Sequence, residues 1–519
     1  MMHASTRHLS RRPVCCSVCP PVRRLARPLL ALALALPLLP PLPAEGQEVT
    51  PDGAAQLERL LEGRLARLAR GPADRYRLER APDAGVRAEG AAYAVTLPDL
   101  RLVTPDGWLL EAPVVQARVT PQPDGGWAWT ASLPATLAVF GPQGFRAGEV
   151  TLGERTLEGR WTADLETLEA LDLRLARILF TPREGSGRVS VGQISARLTP
   201  EIHQDGKWTG PASLSISDVQ ARTPAGAEQL ALKSLSVQAQ ISGLDTARYA
   251  EWNAAMAARA AADDGREGLS PAEARALAAA LPHLDGMLGQ LKATVQVSGL
   301  RRLGEDGSRT SLADGSASLT LTGLTSEKAG LDLSLRHKGL ALDGPGIRPE
   351  QIPASGEVRL AASGLPRRAL LQAYAQRLEQ TPALGETGAR KAFEQQALAA
   401  LGRAGAELTL SKLVLDAAEA GLSGSGTLHF TDTSPRGLTG SLALALRGLD
   451  GLITRASAAN AGDPGRTLAL YALQGLGRPE TDGQGRTVQS YRVEIGADGR
   501  ILLNGNDSTA LVQGLLSLR

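Results

Sequence analysis

Halfway along residues 356–378 the hydrophobic period changes, and that change limits what a chain like this can fold into. Val358, Leu360 and Ala362 alternate with Glu357, Arg359 and Ala361, the two-residue period of a strand with one buried face. Beyond Ser363-Gly364-Leu365 the period becomes helical. Pro366 suits a first helical position, and Leu370, Leu371, Tyr374 and Leu378 fall on one face. The unit recurs: residues 237–244 run through Gly243-Leu244 into the helix-forming stretch 246–261, and residues 442–449 run through Gly448-Leu449 into 452–459. Shorter copies end in Gly-Leu at Leu300 and Leu324. A chain built on this unit is mainly β with helical insertions, an α+β protein whose strands form a long curved antiparallel sheet, either a groove or a half-barrel.

The strands elsewhere carry the same alternation. Val295 and Val297 alternate with Thr294, Gln296 and Ser298; Leu319 and Leu321 with Ser318 and Thr320; Leu331, Leu333 and Leu335 with Asp332, Ser334 and Arg336. Leu442, Leu444 and Leu446 complete the pattern near the C-terminus. With Val358 and Leu360 these residues are the candidate apolar lining. Burying three such leucines is worth roughly 5 to 9 kcal/mol, at about 1.5 to 3 each. A domain's whole net stability is about 5 to 15 kcal/mol, so protein or ligand must shield that face. Turn signals separate the strands: Asp106-Gly107, Asp124-Gly125, Asp205-Gly206, Asp498-Gly499 and Asn504-Gly505.

Six arginines precede the apolar run 29–42, and small residues Ala44 and Gly46 follow it, the pattern of an export leader cleaved near that point. The run is short and proline-rich, whereas a membrane span takes about 20 residues. Residues 1–44 are therefore set apart as a signal peptide and the remainder is assigned to the periplasm or cell envelope. The only cysteines, Cys15, Cys16 and Cys19, lie in that leader, so the exported part has neither disulfide nor thiolate chemistry. Loss of the leader takes the formal charge from +2 to −4, which argues against a nucleic-acid partner. Aromatic residues make up only 3% of the chain, which disfavours stacking platforms.

The exported part divides into an amphipathic helix within 45–72, a β region 73–244, helices 245–291, a central β region 292–363, helices 364–404, and a C-terminal β region 405–519 with a helical segment 449–476 and a terminal helix. The first helix places Leu57, Leu60, Leu61, Leu65 and Leu68 on one stripe, which either docks on the rest of the chain or makes peripheral membrane contact. Ser270-Pro-Ala-Glu273 has the form of a capping box, and Pro282 should end the helix that follows.

No catalytic pattern in the sequence is complete. His203, His283, His337 and His429 are widely separated and lack neighbours at metal-ligand spacing. Residues 421–426, Gly-Leu-Ser-Gly-Ser-Gly, miss a nucleophile elbow by one position and are read as a hairpin, and Asp263, Asp264 and Asp314 are read as turn residues. No cofactor or metal is expected.

The leader, the Leu/Ser/Thr-alternating strands, the strand–Gly-Leu–helix units and the closing Asp-Gly-Arg-Ile-Leu-Leu-Asn-Gly segment resemble the repetitive-β envelope proteins of proteobacteria, the YdgA-like and AsmA-like groups. That resemblance covers most of residues 91–518 and implies envelope residence and a curved sheet with an apolar concave face. For the AsmA-like group it also implies a role in moving or accommodating lipids. It offers no catalytic residue. Three functions are consistent with the sequence: a groove that holds lipid or another hydrophobic chain, a scaffold with a sealed core acting through its surface and other envelope proteins, or an envelope hydrolase.

Overall fold

The computed structural model describes residues 49–69, 76–123, 126–161, 168–183, 187–203, 205, 207–261, 270–304, 306–459, 464–482 and 485–510. The leader, the Asp124-Gly125 turn, Gly206 of the Asp205-Gly206 turn, Asp263-Asp264 and all but the start of the terminal helix lie outside these residues.

The protein is mainly β, and the 25 strands among the described residues form one sheet. At the N-terminal end, β1 (Arg77–Leu78) and β2 (Gly85–Glu89) both pair with β3 (Ala92–Val103), which pairs with β4 (Leu109–Pro121). The next two positions are shared by short strands lying end to end. β5 (Trp127–Ser132) and β6 (Thr136–Phe140) both pair with β4, while β7 (Arg146–Thr151) and β8 (Glu154–Trp161) both pair with β9 (Leu168–Pro182).

From β9 the sheet proceeds through β10 (Arg188–Leu198), a two-residue β11 (Glu201–Ile202), β12 (Lys207–Arg222), β13 (Glu228–Asp245), β14 (Gln290–Leu303), β15 (Arg309–Thr322) and β16 (Lys328–Lys338). After the short β17 (Ala341–Asp343) come β18 (Ser355–Pro366), β19 (Glu407–Asp416), β20 (Gly421–Phe430) and β21 (Leu438–Arg447). β22 (Arg478–Thr481), β23 (Thr487–Ile495), β24 (Ile501–Leu503) and β25 (Asn506–Asp507) finish it. Neighbours pair antiparallel throughout. Asn504 and Gly505, at φ 50° and 87°, form the two-residue turn between β24 and β25 that this dipeptide favours.

The alternation changes phase by one residue along a line that crosses successive strands. In β12 the apolar positions are Leu214 and Ile216, then Val219 and Ala221; in β13 they are Leu230 and Leu232, then Leu235 and Val237. Arg177, Asp218 and Gly299 adopt positive φ on that line, in β9, β12 and β14. Each absorbs one residue of the alternation, so apolar side chains on both sides of the line stay on one face. Ile194, Val219 and Ala221 accordingly share one core with Leu214, Ile216, Leu230 and Leu232.

The helices sit at the ends of this sheet and at one rim. α1 (Pro51–Ala69) packs on β1 and β2 and buries Leu57, Leu61 and Leu65 at 4%, 0% and 6% exposure. Its leucine stripe is docked on the chain itself. At the rim are α2 (Thr246–Ala261), α3 (Pro271–Ala280) and α4 (Arg367–Ala404); α3 packs against each of the other two, and Ala274, Ala278, Leu281 and Leu378 form a buried cluster there. The capping box at Ser270 and Glu273 forms with both hydrogen bonds, and a 3₁₀ turn at Leu281–Leu284 ends α3 where Pro282 demands it.

Gly385, at φ 69°, breaks α4 into two arms, and Tyr374 meets Phe393 edge-on at 5.9 Å across them. Tyr374 is therefore not part of one buried face with Leu378, as the helical period suggests: it is 37% exposed and packs on the second arm. At the C-terminal end are α5 (Leu449–Ala459) and α6 (Pro464–Leu476). Buried Asn504 ties α6 to the sheet, its Nδ2 donating to the carbonyls of Leu476 (2.7 Å) and Ser490 (3.2 Å) while its Oδ1 accepts from the Arg492 amide at 2.8 Å. None of the helices among the described residues is long and apolar enough to cross a membrane.

Candidate functional site: an apolar face on the central strands

The twelve candidate lining residues fall into four cross-strand rows on one face. Val295, Ala317, Leu335, Val358, Leu413, Gly424 and Leu444 are successive partners from β14 to β21. Leu319, Leu333, Leu360, Leu410 and Leu442 lie in the second row, with Gly426 between the last two. The third holds Leu291, Leu321, Leu331, Ala362, Leu408 and Leu428. The fourth runs Val297, Gly315, His337, Gly356, Leu415, Leu422 and Leu446.

These rows continue into the sealed core. From Val295 the first passes through Val237, Leu214 and Ala196 to Leu173, which is 1% exposed. Leu335, in the same row, is 43% exposed and Val295 37%. None of the twelve reaches the burial of the N-terminal core, although every member of these rows from β14 to β21 except His337 is apolar or glycine. One face of one sheet is thus covered by α1 at its first strands and left partly open to solvent over β14–β18.

The Gly-Leu steps have a geometric cause. Gly243 and Gly364 have φ 66° and 67°, and each lies at a one-residue register shift, between Ile241 and Leu244 and between Ala362 and Leu365. Glycine takes that conformation without strain. The bulge returns the following leucine to the apolar face just before the chain leaves the sheet for α2 or α4.

The opposite face is polar and self-satisfied. Ser234 and Ser298 hydroxyls hydrogen-bond at 2.7 Å, and Glu357 pairs with Arg359 at 2.7 Å and Lys412 at 2.8 Å. The Lys412 hydrogen bond, with the Arg359 charge behind it, holds the Glu357 carboxyl below the ordinary glutamate range. Two volumes of about 460 and 470 Å³ open on the sheet. The first lies over Arg118, Glu158, Asp172 and Arg197, and the second beside Arg301, Arg302 and Arg309. Their charges are offset by ion pairs such as Arg197–Asp172 and Arg301–Glu228.

Residues 421–426 form the first half of β20, not a hairpin. Their glycines make room for the neighbouring strand: a Cβ on Gly424 would lie 2.5 Å from Leu444 Cδ2. Asp314 is likewise inside β15 rather than in a turn. The leucines of β19 complete the face but escape a simple alternation count, because a register shift between Leu410 and Leu413 interrupts it. His283 contacts Glu251 at 3.0 Å and His429 contacts Glu407 at 3.3 Å, and among the described residues no three potential metal ligands cluster. No family model, curated protein or solved structure matches the chain.

Proposed function

We propose that this protein is a non-catalytic component of the cell envelope that accommodates lipid or another long hydrophobic chain along the apolar face of β14–β21. The observation that carries this reading is the half-burial of Leu335 and Val295 within a row whose far members, Ala196 and Leu173, are buried on the same sheet. An aliphatic surface of leucine, valine and alanine offers dispersion contacts and excludes water but imposes little directional selectivity, which suits a flexible acyl chain. A sealed scaffold has no need of partly open leucines at the centre of its sheet. The leader sequence supports assignment to the envelope.

A photoactivatable palmitate analogue provides the test. Cross-links should concentrate on peptides from residues 290–366 and fall in a Leu333→Glu/Leu360→Glu variant that remains folded by circular dichroism. Cross-links scattered over the polar face, or unaffected by the double substitution, would refute the reading.

A further inference from the structure

At the rim where the Gly-Leu bulges end the apolar rows, three arginines from two helices converge on one loop residue, Asp285. Arg367 and Arg368 both form ion pairs with Asp285, the second at 2.8 Å, and Arg248 donates to the Asp285 carbonyl while pairing with Asp245 at 3.7 Å. Arg367 also donates through Nε to the Ser326 carbonyl at 3.3 Å, which brings the β15–β16 turn into the cluster. The nearby Glu251 is engaged with His283. Three guanidiniums are thus in direct contact with two carboxylates, Asp245 and Asp285.

Two further features distinguish this cluster. Arg367 is 9% exposed, and burial, followed by repulsion from Arg368 and Arg248, lowers its pKa. α4, 38 residues long, begins here at Pro366 with no side chain capping its first amides. Arg248 and Arg368 are 47% and 70% exposed, so they are reachable. Leu365 lies on the apolar face two positions before Arg367, and Leu244 four before Arg248.

We infer that Arg248 and Arg368, backed by Arg367, bind the phosphate-class anionic headgroup of an amphiphile whose chain lies along the adjoining leucine rows. This rests on the proposed groove for the chain but not for the anion. Guanidiniums suit phosphate because their paired N–H groups match its oxygens, and an exposed pair can close on a headgroup without breaking the Arg367–Asp285 contact.

Calorimetric titration of the purified chain with dodecyl phosphate, dodecanol and inorganic phosphate separates the two halves. Dodecyl phosphate should bind about ten- to a hundredfold more tightly than dodecanol, the fold-change of one charge-assisted hydrogen bond. An Arg248→Gln/Arg368→Gln variant should lose that preference while keeping its dodecanol affinity. Equal affinities for the two amphiphiles, or a preference unchanged in the variant, overturns the headgroup site. If neither amphiphile binds, the groove reading fails by itself. Inorganic phosphate binding that disappears in the variant then supports the anion site as one for free phosphate, and its absence overturns the site as well.

Discussion

Leu173 and Leu335 occupy the same cross-strand row six partners apart, and truncating each to alanine should give very different losses of stability. Full burial of a leucine is worth about 1.5 to 3 kcal/mol. Leu335 is 43% exposed, so it realises a little over half of that, and most of the loss on truncation falls near 1 kcal/mol because water fills the space. Leu173 is 1% exposed, and its truncation leaves a cavity that water does not enter, for a cost of about 3 to 5 kcal/mol. Urea unfolding of both variants reads the difference as midpoint shifts at matched slope. A Leu335→Ala cost of about 3 kcal/mol or more would mean that the central face is as sealed as the N-terminal core, and the open groove would have to be abandoned.

Three further outcomes follow from local geometry. Gly364→Ala should cost about 1 kcal/mol from its left-handed backbone alone, since its nearest neighbour is Ala406 Cα at 3.4 Å, whereas Gly448→Ala should cost far more, because its Cβ would lie 2.0 Å from the Glu419 carbonyl; thermal unfolding of the pair checks the order. Ser270→Ala removes a formed capping box and should lower stability by about 1 kcal/mol by urea titration, with Ser270→Thr largely restoring it. Lys412→Met should raise the Glu357 titration midpoint toward the ordinary glutamate range by NMR. Because that carboxyl's pKa is depressed in the fold, its contribution to stability is present above the unfolded glutamate pKa and is lost as pH falls through the folded value; an unchanged midpoint in the variant would remove Lys412 as the cause.

Periodicity made the fold class and the shared apolar face legible. Leu331, Leu333 and Leu335 alternate without interruption, so their shared face follows from the pleat alone, and the Ser270 capping box is a purely local signal. What escaped were features decided by a partner strand or a second helical arm. The phase change at Asp218, the register shift after Leu410 and the glycines of β20 make sense only beside their neighbours. The exposure of Tyr374 depends on Gly385 turning α4 back on itself. The arginine cluster joins Arg248 to Arg368 across more than a hundred residues, and no spacing rule links them. Whether the leucine face is open could not be read either, because alternation specifies a face and not what lies over it.

Native mass spectrometry of the purified chain, released under gentle conditions, tests the central claim most directly. An open apolar face over β14–β18 predicts adducts of lipid mass that diminish in Leu333→Glu/Leu360→Glu. A bare polypeptide mass in the unsubstituted protein, with none recovered on adding lipid, would contradict it.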